Sequence, residues 1–303
     1  MIHLKSIVKG AGSLIIPQWQ KSGTGDVGAA TAVGSYATFF RYFDVLNFIR
    51  ESFEDKVVLE LGPGPSYGLG FCALFCGARR YYAVDYVDHT NIERNLRVFD
   101  DLVEMFKARI SIPHDGLCGQ IFPFIDNEEF VSNLAANDLR LGRIEAIRDD
   151  LINRKGNFIL PMKINTATTL PPSIDVIISE SVMEHVDNLE ATYAAFARWL
   201  KPGGVMVHLI DYGSHKLSSE WNGHWGCSEK LWRIVRGKRQ YLINRQPHQT
   251  HLDLMKVNGF QIVSEQRLRR VDGLTREQFD LEFMGMSFVD SQTSLAQVVA
   301  RKL

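Results

Sequence analysis

The chain has 303 residues, which is enough to bury one large hydrophobic core or two small ones. Its net charge of −1 gives no global attraction to nucleic acid or to an anionic membrane surface. No apolar run reaches the roughly 18 residues that a membrane span needs. The first residues also lack the apolar centre of a secretory signal, so we expect no membrane span and a cytoplasmic location.

The first 55 residues predict a helical cover that precedes the main domain, residues 56–303. The stretch SGTGDVGAATAVGS is typical of a loop because of its glycines. In the segment YATFFRYFDVLNFIRESF, large apolar residues recur at helical spacing and predict a helix over the first strand: Phe39, Phe43, Leu46 and Ile49.

From residue 56 onward, predicted strands and helices alternate. KVVLELG, RYYAVD, SIDVIISE and VMVHLID are typical of buried strands. YGLGFCALFCGA and NLEATYAAFARWLKPGG predict helices, and we expect Gly203 and Gly204 to end the second of them. Further on, GFQIV and LAQVVARKL predict strands on either side of a charged helix. The alternation indicates parallel βαβ units with right-handed crossovers, and hence an α/β fold with a Rossmann-like doubly wound sheet.

Two longer segments interrupt this alternation. Residues from about 89 to 160 are too many for a single crossover and contain two amphipathic stretches, so they predict a helical insertion close to the ligand cleft. Residues from about 212 to 250 follow the strand that ends at Asp211. They are rich in Trp, His, Arg and Tyr, and they predict a C-terminal lid.

The turn in VVLELGPGPSYGLG is typical of a ligand-binding loop after a strand. A phosphate-binding loop of nucleoside triphosphatases needs GxxxxGK[ST], and no lysine follows this turn. The dinucleotide pattern GxGxxG fits Gly62 and Gly64, but the third glycine, Gly68, comes one residue late. Tyr67 occupies the position where close packing of helix and strand favours no side chain. The signal for NAD is therefore weak.

S-adenosylmethionine fits the same turn better. Glycines at positions 62 and 64 remove Cβ atoms that would collide with its methionine end. Glu60, on the preceding strand, could orient the ammonium group, and Asp85, at the end of the next strand, could accept both ribose hydroxyls. Asp85 alone does not discriminate, because NAD enzymes place a similar carboxylate there.

Together, VVLELGPGPSYGLG, YYAVD, IDVIISESVMEHV and WLKPGG resemble, in order and spacing, a class I S-adenosylmethionine-dependent methyltransferase over about residues 55–303. The ELGPGxS turn and the EHV triplet are similar to a bacterial branch of such enzymes. In the family, a gDaeeLP segment brings an acidic residue to the adenine; here the segment is NTATTLP, with threonine in the acidic position. The resemblance implies the following cofactor-binding residues: Glu60, Gly62, Gly64, Asp85, Tyr86, Thr166, Ala167 and Glu180.

Three polar residues are candidates for catalysis. Methyl transfer to a hydroxyl needs a base, and His185 follows a strand end where the cleft should open. It could instead begin the next helix and pair with the backbone. Asp211 and His215 leave the following strand on the cleft side and could act as a base or orient the substrate, or could fix a loop. His208 lies three residues before Asp211, which places it on the other face of that strand, in the core.

No metal site is predicted. Ubiquinone-pathway methyltransferases bind a divalent ion and carry a glutamate three residues before their Glu-His pair, but Ser181 stands at that position here. Glu180 lies one residue too early, and metal ligands must converge on one face.

The segment SEKLWRIVRGKRQYLINR carries one acid among many lysines and arginines, interleaved with Trp232 and Tyr241. It could be a solvated helix face, or it could clamp an anionic acceptor through bidentate arginines. We expect two of Trp221, Trp225 and Trp232 to serve packing. Nucleic acid is not expected, because SESV replaces the motif of base-modifying methyltransferases and the pI is near 6.8.

These observations predict methyl transfer from S-adenosylmethionine to a small molecule or a glycan, with oxygen as the acceptor atom because histidines crowd the cleft. Three alternatives stay open. The chain could methylate a protein or an RNA, it could keep the cofactor site as a scaffold without turnover, or it could be a nicotinamide dehydrogenase.

Overall fold

The computed structural model describes residues 1–20, 30–87, 89–112, 120–121, 141–163 and 173–303. The helices are α1 (Leu4–Gly12), α2 (Ala32–Phe48), α3 (Gly68–Phe75), α4 (Ile92–Ala108), α5 (Leu141–Asn153), α6 (Leu189–Trp199), α7 (Glu229–Arg236), α8 (His248–Val257) and α9 (Phe288–Gln292). The strands are β1 (Val57–Leu61), β2 (Arg80–Asp85), β3 (Ile159–Lys163), β4 (Ile174–Glu180), β5 (Leu200–Asp211), β6 (Phe260–Arg269) and β7 (Thr293–Lys302).

Within the described residues, seven strands form one sheet in the order β3-β2-β1-β4-β5-β7-β6. The strands from β3 to β5 are parallel, whereas β7 lies antiparallel between β5 and β6. The order reverses between β1 and β4, and ligands of open α/β sheets bind at the carboxyl ends of strands at such a switch point. The predicted α/β fold is confirmed.

Each face of the sheet has its own hydrophobic cluster. One cluster joins β1 to helices α2, α3 and α4, and it includes Phe39, Phe71 and Phe99. The other joins the sheet to α6 and α8 through buried residues such as Tyr193 and Met255. Because β1 contributes side chains to both clusters, it reads as a continuous apolar run in the sequence.

Three predicted boundaries differ from the structure. The helix α6 ends at Trp199, not at the two glycines, because Leu200 is extended and pairs with Ile174 of β4. Pro202 also disfavours helical backbone at the residue before it. The predicted charged helix is not formed: β6 continues to Arg269 along the sheet edge, where charged side chains are tolerated, and turns with one 3-10 turn, Arg276–Gln278, follow. Strand β3 was not predicted; it is the other edge strand, where Pro161 removes no needed hydrogen bond.

The helical cover splits into two parts. Helix α2 packs on α3 and α4 and is buried almost all round. Helix α1 instead packs on α7, and Ile2 pairs with Ser218 as an isolated β-bridge. A third small hydrophobic cluster joins Ile2 to Trp232 and Val235. The first helix therefore belongs structurally to the predicted lid; the division into domains stays a prediction.

Helices α4 and α5 lie within the segment predicted as a helical insertion, and the rest of that segment lies largely outside the described residues. Among the helices that are described, none combines the length and the hydropathy that crossing a bilayer requires.

Candidate active site

The turn after β1 places two glycines in left-handed backbone. Gly62 has a φ of +71°, and a Cβ on it would lie 2.5 Å from Cγ2 of Val182, which follows β4. Gly64 has a φ of +65°, and nothing lies within 4 Å of its would-be Cβ. Left-handed backbone disfavours other residues at both positions. The turn is therefore tight against Val182 on one side and open on the other.

Helix α3 begins directly after this turn. Tyr67, which occupies the dinucleotide glycine position, is the N-cap residue, and its amide donates to Asn95 Oδ1 over 2.8 Å. Close contact with β2 occurs instead at Gly70, whose would-be Cβ lies 2.3 Å from the ring of Tyr81. The packing glycine thus lies three residues beyond the position that the dinucleotide pattern requires.

Asp85 stands at the carboxyl end of β2. Its Oδ1 accepts hydrogen bonds from the amides of Tyr86, at 2.7 Å, and Val87, at 3.3 Å. Burial raises the pKa of Asp85, and these two amides oppose that shift. Tyr86 is exposed, and its ring meets the ring of Tyr241 edge-on at 6.0 Å. The strand end and the lid segment are thus in contact.

Glu60 is buried within the sheet. The Tyr81 hydroxyl donates to its Oε2 over 2.5 Å. Burial raises the pKa of Glu60 to about 8, and repulsion from Glu180 and Asp85 adds to that shift, whereas the Tyr81 hydrogen bond opposes it. A cationic group near Glu60 would favour its charged form.

Glu180, at the end of β4, is held by α2. Its Oε1 pairs with Arg41, and its Oε2 accepts from the Tyr42 hydroxyl at 2.7 Å. Burial raises the pKa of Glu180, and the charge of Arg41 opposes the shift. Both oxygens of this predicted cofactor ligand therefore already have partners on α2.

Two cavities adjoin the carboxyl ends of the strands. The larger has a volume of about 430 Å³ and is bordered by Gly62, Asp85, Tyr86, Val182 and His185, together with residues of α6 and the lid. The smaller, about 250 Å³, lies on the other side of Asp85 and is bordered by Gly64 and Tyr67. The larger cavity joins the predicted cofactor turn to a predicted catalytic histidine.

His185 ends a short 3-10 turn, Met183–His185, after β4. Its ring lies 4.9 Å from the ring of His215, centroid to centroid. Burial lowers the pKa of His185 to about 4, with the neighbouring His215 as the next cause. The imidazole is therefore neutral at physiological pH. Its Nδ1 is buried and has no hydrogen-bond partner within the described residues.

Asp211 and His215 are in contact beside His185. His215 Nε2 lies 3.2 Å from Asp211 Oδ2, and the Gly213 amide donates to Asp211 Oδ1 over 2.6 Å. Burial alone would raise the pKa of Asp211, but the interaction with His215 and the Gly213 amide outweigh it, so the pKa is lowered. His215 has a φ of +48°, an uncommon backbone conformation that is over-represented at functional sites.

Glu184 completes this cluster. Its carboxyl group is buried, and its two oxygens have no hydrogen-bond partner of good geometry in the described part of the chain. Burial, and then repulsion from Asp211, raise its pKa well above the usual range. Glu184, His185 and His215 each offer one ligand atom, and these atoms lie within 4.8 Å of one another. Although no metal site was predicted, this arrangement could hold a cation.

Two predictions about residues that serve packing are confirmed. His208 is fully buried, with its Nδ1 2.7 Å from Ser179 Oγ, so it is a core residue. Trp225 and Trp232 are also buried and pack the lid segment. Trp221 is partly buried and meets the Trp225 ring edge-on at 5.9 Å.

The lid arginines are engaged within the protein. Arg236 pairs with Asp187, and Arg245 pairs with Glu229 and Glu282. Arg239 is buried and donates to the backbone carbonyl of Val235. These side chains hold the lid in place, and the arginine clamp for an anionic acceptor is not present in this arrangement.

Thr166 and Ala167, the predicted adenine contacts, lie outside the described residues. Several cavity residues were not assigned from the sequence, among them Val182, which follows β4, and Gln240, in the lid. Tyr241 was noted only as an aromatic residue in a basic segment, yet it borders the cavity and contacts Tyr86. The sequence feature that could have predicted the contact between Tyr241 and Tyr86 is the group of aromatic residues in the predicted lid.

Comparison with known proteins adds a family assignment. A family model described as a methyltransferase domain matches residues 37–265. Among curated protein sequences, none matches the chain. An S-adenosylmethionine-dependent methyltransferase from Mesorhizobium loti has 14% identity and a TM-score of 0.45, covering 86% of this chain and 98% of its own. Geranyl diphosphate C-methyltransferase from Streptomyces coelicolor A3(2) has 13% identity and a TM-score of 0.44, covering 88% of this chain and 77% of its own.

Proposed function

Since this chain belongs to the methyltransferase domain family, we propose that it transfers a methyl group from S-adenosylmethionine to the oxygen of a small molecule or a glycan. The observation that carries the proposal is the larger cavity, which is bordered at once by Gly62 and Asp85 and by His185. A cofactor held at the turn and an acceptor held near the histidine would therefore share one cavity.

The residues around the turn fit the cofactor. Gly64 leaves open space where a side chain would stand, and its left-handed backbone favours a residue without a Cβ. Asp85 lies beside that space and can accept the ribose hydroxyls as charge-assisted hydrogen bonds. Burial raises the pKa of Glu60 to about 8, and an ammonium group beside it would favour the ionised carboxylate and pair with it. When bound, S-adenosylmethionine supplies an electrophilic methyl group on a sulfonium ion.

The histidine cluster fits the removal of a hydroxyl proton. His185 is neutral, but a pKa of about 4 makes it a weak base. His215 is oriented by the Asp211 carboxylate next to Nε2, which would stabilise an imidazolium formed on proton transfer. We therefore assign proton acceptance to His215, orientation of His215 to Asp211, and contact with the acceptor to His185, which borders the cavity.

The acceptor is a small molecule or a glycan that carries negative charge. Although the lid arginines are paired, Arg198 on α6 also borders the cavity, and it has no ion-pair partner among the described residues. A cation at the cavity wall favours an acceptor with a phosphate or a carboxylate.

Calorimetric titration of the purified chain tests the cofactor first. We expect binding of S-adenosylmethionine and S-adenosylhomocysteine and no binding of NADH. A panel of sugar phosphates and hydroxy acids is then screened for release of S-adenosylhomocysteine. Cofactor binding without turnover on any acceptor would support the scaffold alternative, and binding of NADH alone would overturn the proposal.

A second role of the same cluster is favoured by the buried, unpartnered oxygens of Glu184. Together with His185 and His215 it forms a donor set of two imidazoles and one carboxylate, which suits divalent transition metals better than Mg²⁺. In that case Asp211 would orient the ligand His215 from the second coordination sphere. The metal would hold an anionic acceptor, and His215 could not then act as the base.

One variant separates the two roles. Glu184→Gln removes a charged ligand but leaves the Asp211–His215 pair intact. Under the base role, chelator and Glu184→Gln leave turnover within about three-fold, because neither touches the base. Under the metal role, chelator abolishes turnover, added Zn²⁺ or Mn²⁺ restores it, and Glu184→Gln weakens metal binding measured by calorimetry.

A further inference from the structure

Helix α1 presents an apolar stripe to solvent. Leu4 is 74% exposed and Val8 is 50% exposed, and Ile15, just beyond the helix, is 84% exposed. Ala11 is exposed between them. The helical spacing of Leu4, Val8 and Ala11 places them on one side, and Ile15 continues that spacing. We call this set the apolar face of α1.

The opposite side of α1 is fixed to the lid. Ser6 and Gly10 are buried, and a Cβ on Gly10 would lie 2.1 Å from the carbonyl oxygen of Ile234 on α7. The guanidinium of Arg239 donates to the Ser6 carbonyl over 3.4 Å. The helix could not roll to bury its apolar face without breaking these contacts. The exposure of the face is therefore a property of the packed structure.

The charged side chains of the α1 segment itself are lysines. Residues 1–20 contain Lys5 and Lys9 and no acidic residue. Each lysine follows a residue of the stripe and so stands about 100° round the helix from it. Lys238 is also exposed, and its amide donates to Ser13 Oγ, at the end of α1, over 2.8 Å.

We infer that the apolar face of α1 binds the surface of an anionic membrane, with the helix lying in the interface. An apolar stripe with lysines along one side is an arrangement that can insert into the headgroup boundary while the cations meet anionic lipids. Two-fold pairing of two copies through this face would instead bring Lys5 and Lys9 close to their own counterparts. The charge therefore favours lipid over self-association.

The surface adjoins the candidate active site. The amide of Gln240 donates to the Gln20 carbonyl over 2.9 Å, and Gln240 borders the larger cavity. A membrane bound at α1 would therefore lie beside the lid. This inference stands apart from the proposed reaction, because it concerns binding to vesicles and needs no cofactor.

Vesicle flotation tests the inference. The chain is mixed with vesicles of phosphatidylcholine alone or of equimolar phosphatidylglycerol and phosphatidylcholine, and the bound fraction is measured. We expect binding to the anionic vesicles that falls with salt. Leu4→Asp/Val8→Asp/Ile15→Asp should weaken that binding at least about ten-fold. The matched control is Val257→Asp/Leu281→Asp, which changes residues 83% and 84% exposed elsewhere and should bind as the unmodified chain does.

A charge variant and a sedimentation measurement complete the test. Lys5→Glu/Lys9→Glu should weaken binding to anionic vesicles about ten-fold or more while leaving the melting temperature unchanged. No binding by the unmodified chain, or equal loss in the control variant, would overturn the inference. So would a concentration-dependent dimer that Val8→Asp abolishes in the absence of vesicle binding, because the face would then serve self-association.

Discussion

The carboxylate of Asp211 holds the imidazole of His215 at 3.2 Å, across a turn of four residues that leaves the end of β5. The His215 backbone is left-handed, so the turn places the ring against Asp211 at some conformational cost. A polar contact at the surface contributes little to stability and would not by itself repay such a cost. The pair lies beside His185, which borders the larger cavity, and we interpret the arrangement as an oriented base.

Asp211→Asn tests this interpretation. Asparagine keeps an oxygen for the Gly213 amide but loses the charge that stabilises an imidazolium. We expect kcat to fall by about 10²-fold or more, with little change in KM, when turnover is followed as release of S-adenosylhomocysteine. Asp253→Asn, at a surface position on α8, is the control. A lower melting temperature with unchanged kcat would make the pair a structural one.

Asp85→Ala should weaken the binding of S-adenosylmethionine by about 1.5–3 kcal/mol, because a charge-assisted partner of the ribose is lost. Calorimetry measures the effect, and Asp101→Ala, at an exposed position on α4, controls for the loss of one acidic group. Equal affinity in the two variants would remove Asp85 from the cofactor site.

Much of the fold was predictable because parallel strands buried on both faces appear as continuous apolar runs. RYYAVD coincides with β2, and the acid that ends it is Asp85. The edges of the sheet were harder. Strand β6 carries charged residues that are typical of a surface helix, and its backbone partners come from β7, which lies far along the chain. Sequence periodicity does not report such pairing.

Individual residues of the candidate site could be predicted from the sequence, but the contacts between them could not. The predicted strand ends identified Asp85, His185 and Asp211 as candidates, because ligands of such sheets bind at the carboxyl ends of the strands. The contact between Tyr86 and Tyr241, and the burial of Glu184, depend on how a distant lid folds back. The two alternatives for the lid arginines could not be decided from the sequence for the same reason. Their acidic partners, such as Asp187 and Glu282, lie outside the basic segment.

Gly62→Ala and Gly64→Ala should differ in their effect on stability. Both place a side chain in left-handed backbone, which costs about 1–2 kcal/mol. Gly62→Ala also drives its Cβ against Val182, and we expect a further loss of about 1–3 kcal/mol in the free energy of unfolding. Urea denaturation measures both. Adding Val182→Ala should restore part of the stability lost in Gly62→Ala and none of that lost in Gly64→Ala. If Val182→Ala had the same effect in both variants, the contact with Val182 would not be the cause of the extra loss.

Glu60→Gln should remove a pH dependence of stability. The folded pKa of Glu60, about 8, lies above the ordinary value of 4.5 for a glutamate, because burial disfavours the charged form. The stability that comes from this site is therefore complete below pH 4.5 and is lost as the pH rises through 8. Glutamine stays neutral throughout and can still accept the Tyr81 hydroxyl.

Without cofactor, the Glu60→Gln variant should therefore gain about 1–3 kcal/mol in its free energy of unfolding, relative to the unmodified chain, between about pH 5 and pH 8.5. Urea denaturation at the two pH values provides the measurement, and Glu93→Gln, at an exposed position on α4, is the control. If Glu60 were ionised in the folded chain at both pH values, the difference between the two chains would not change with pH. Another group of the protein would then already stabilise the carboxylate without cofactor. The argument that the cofactor's ammonium group is needed to stabilise it would be lost.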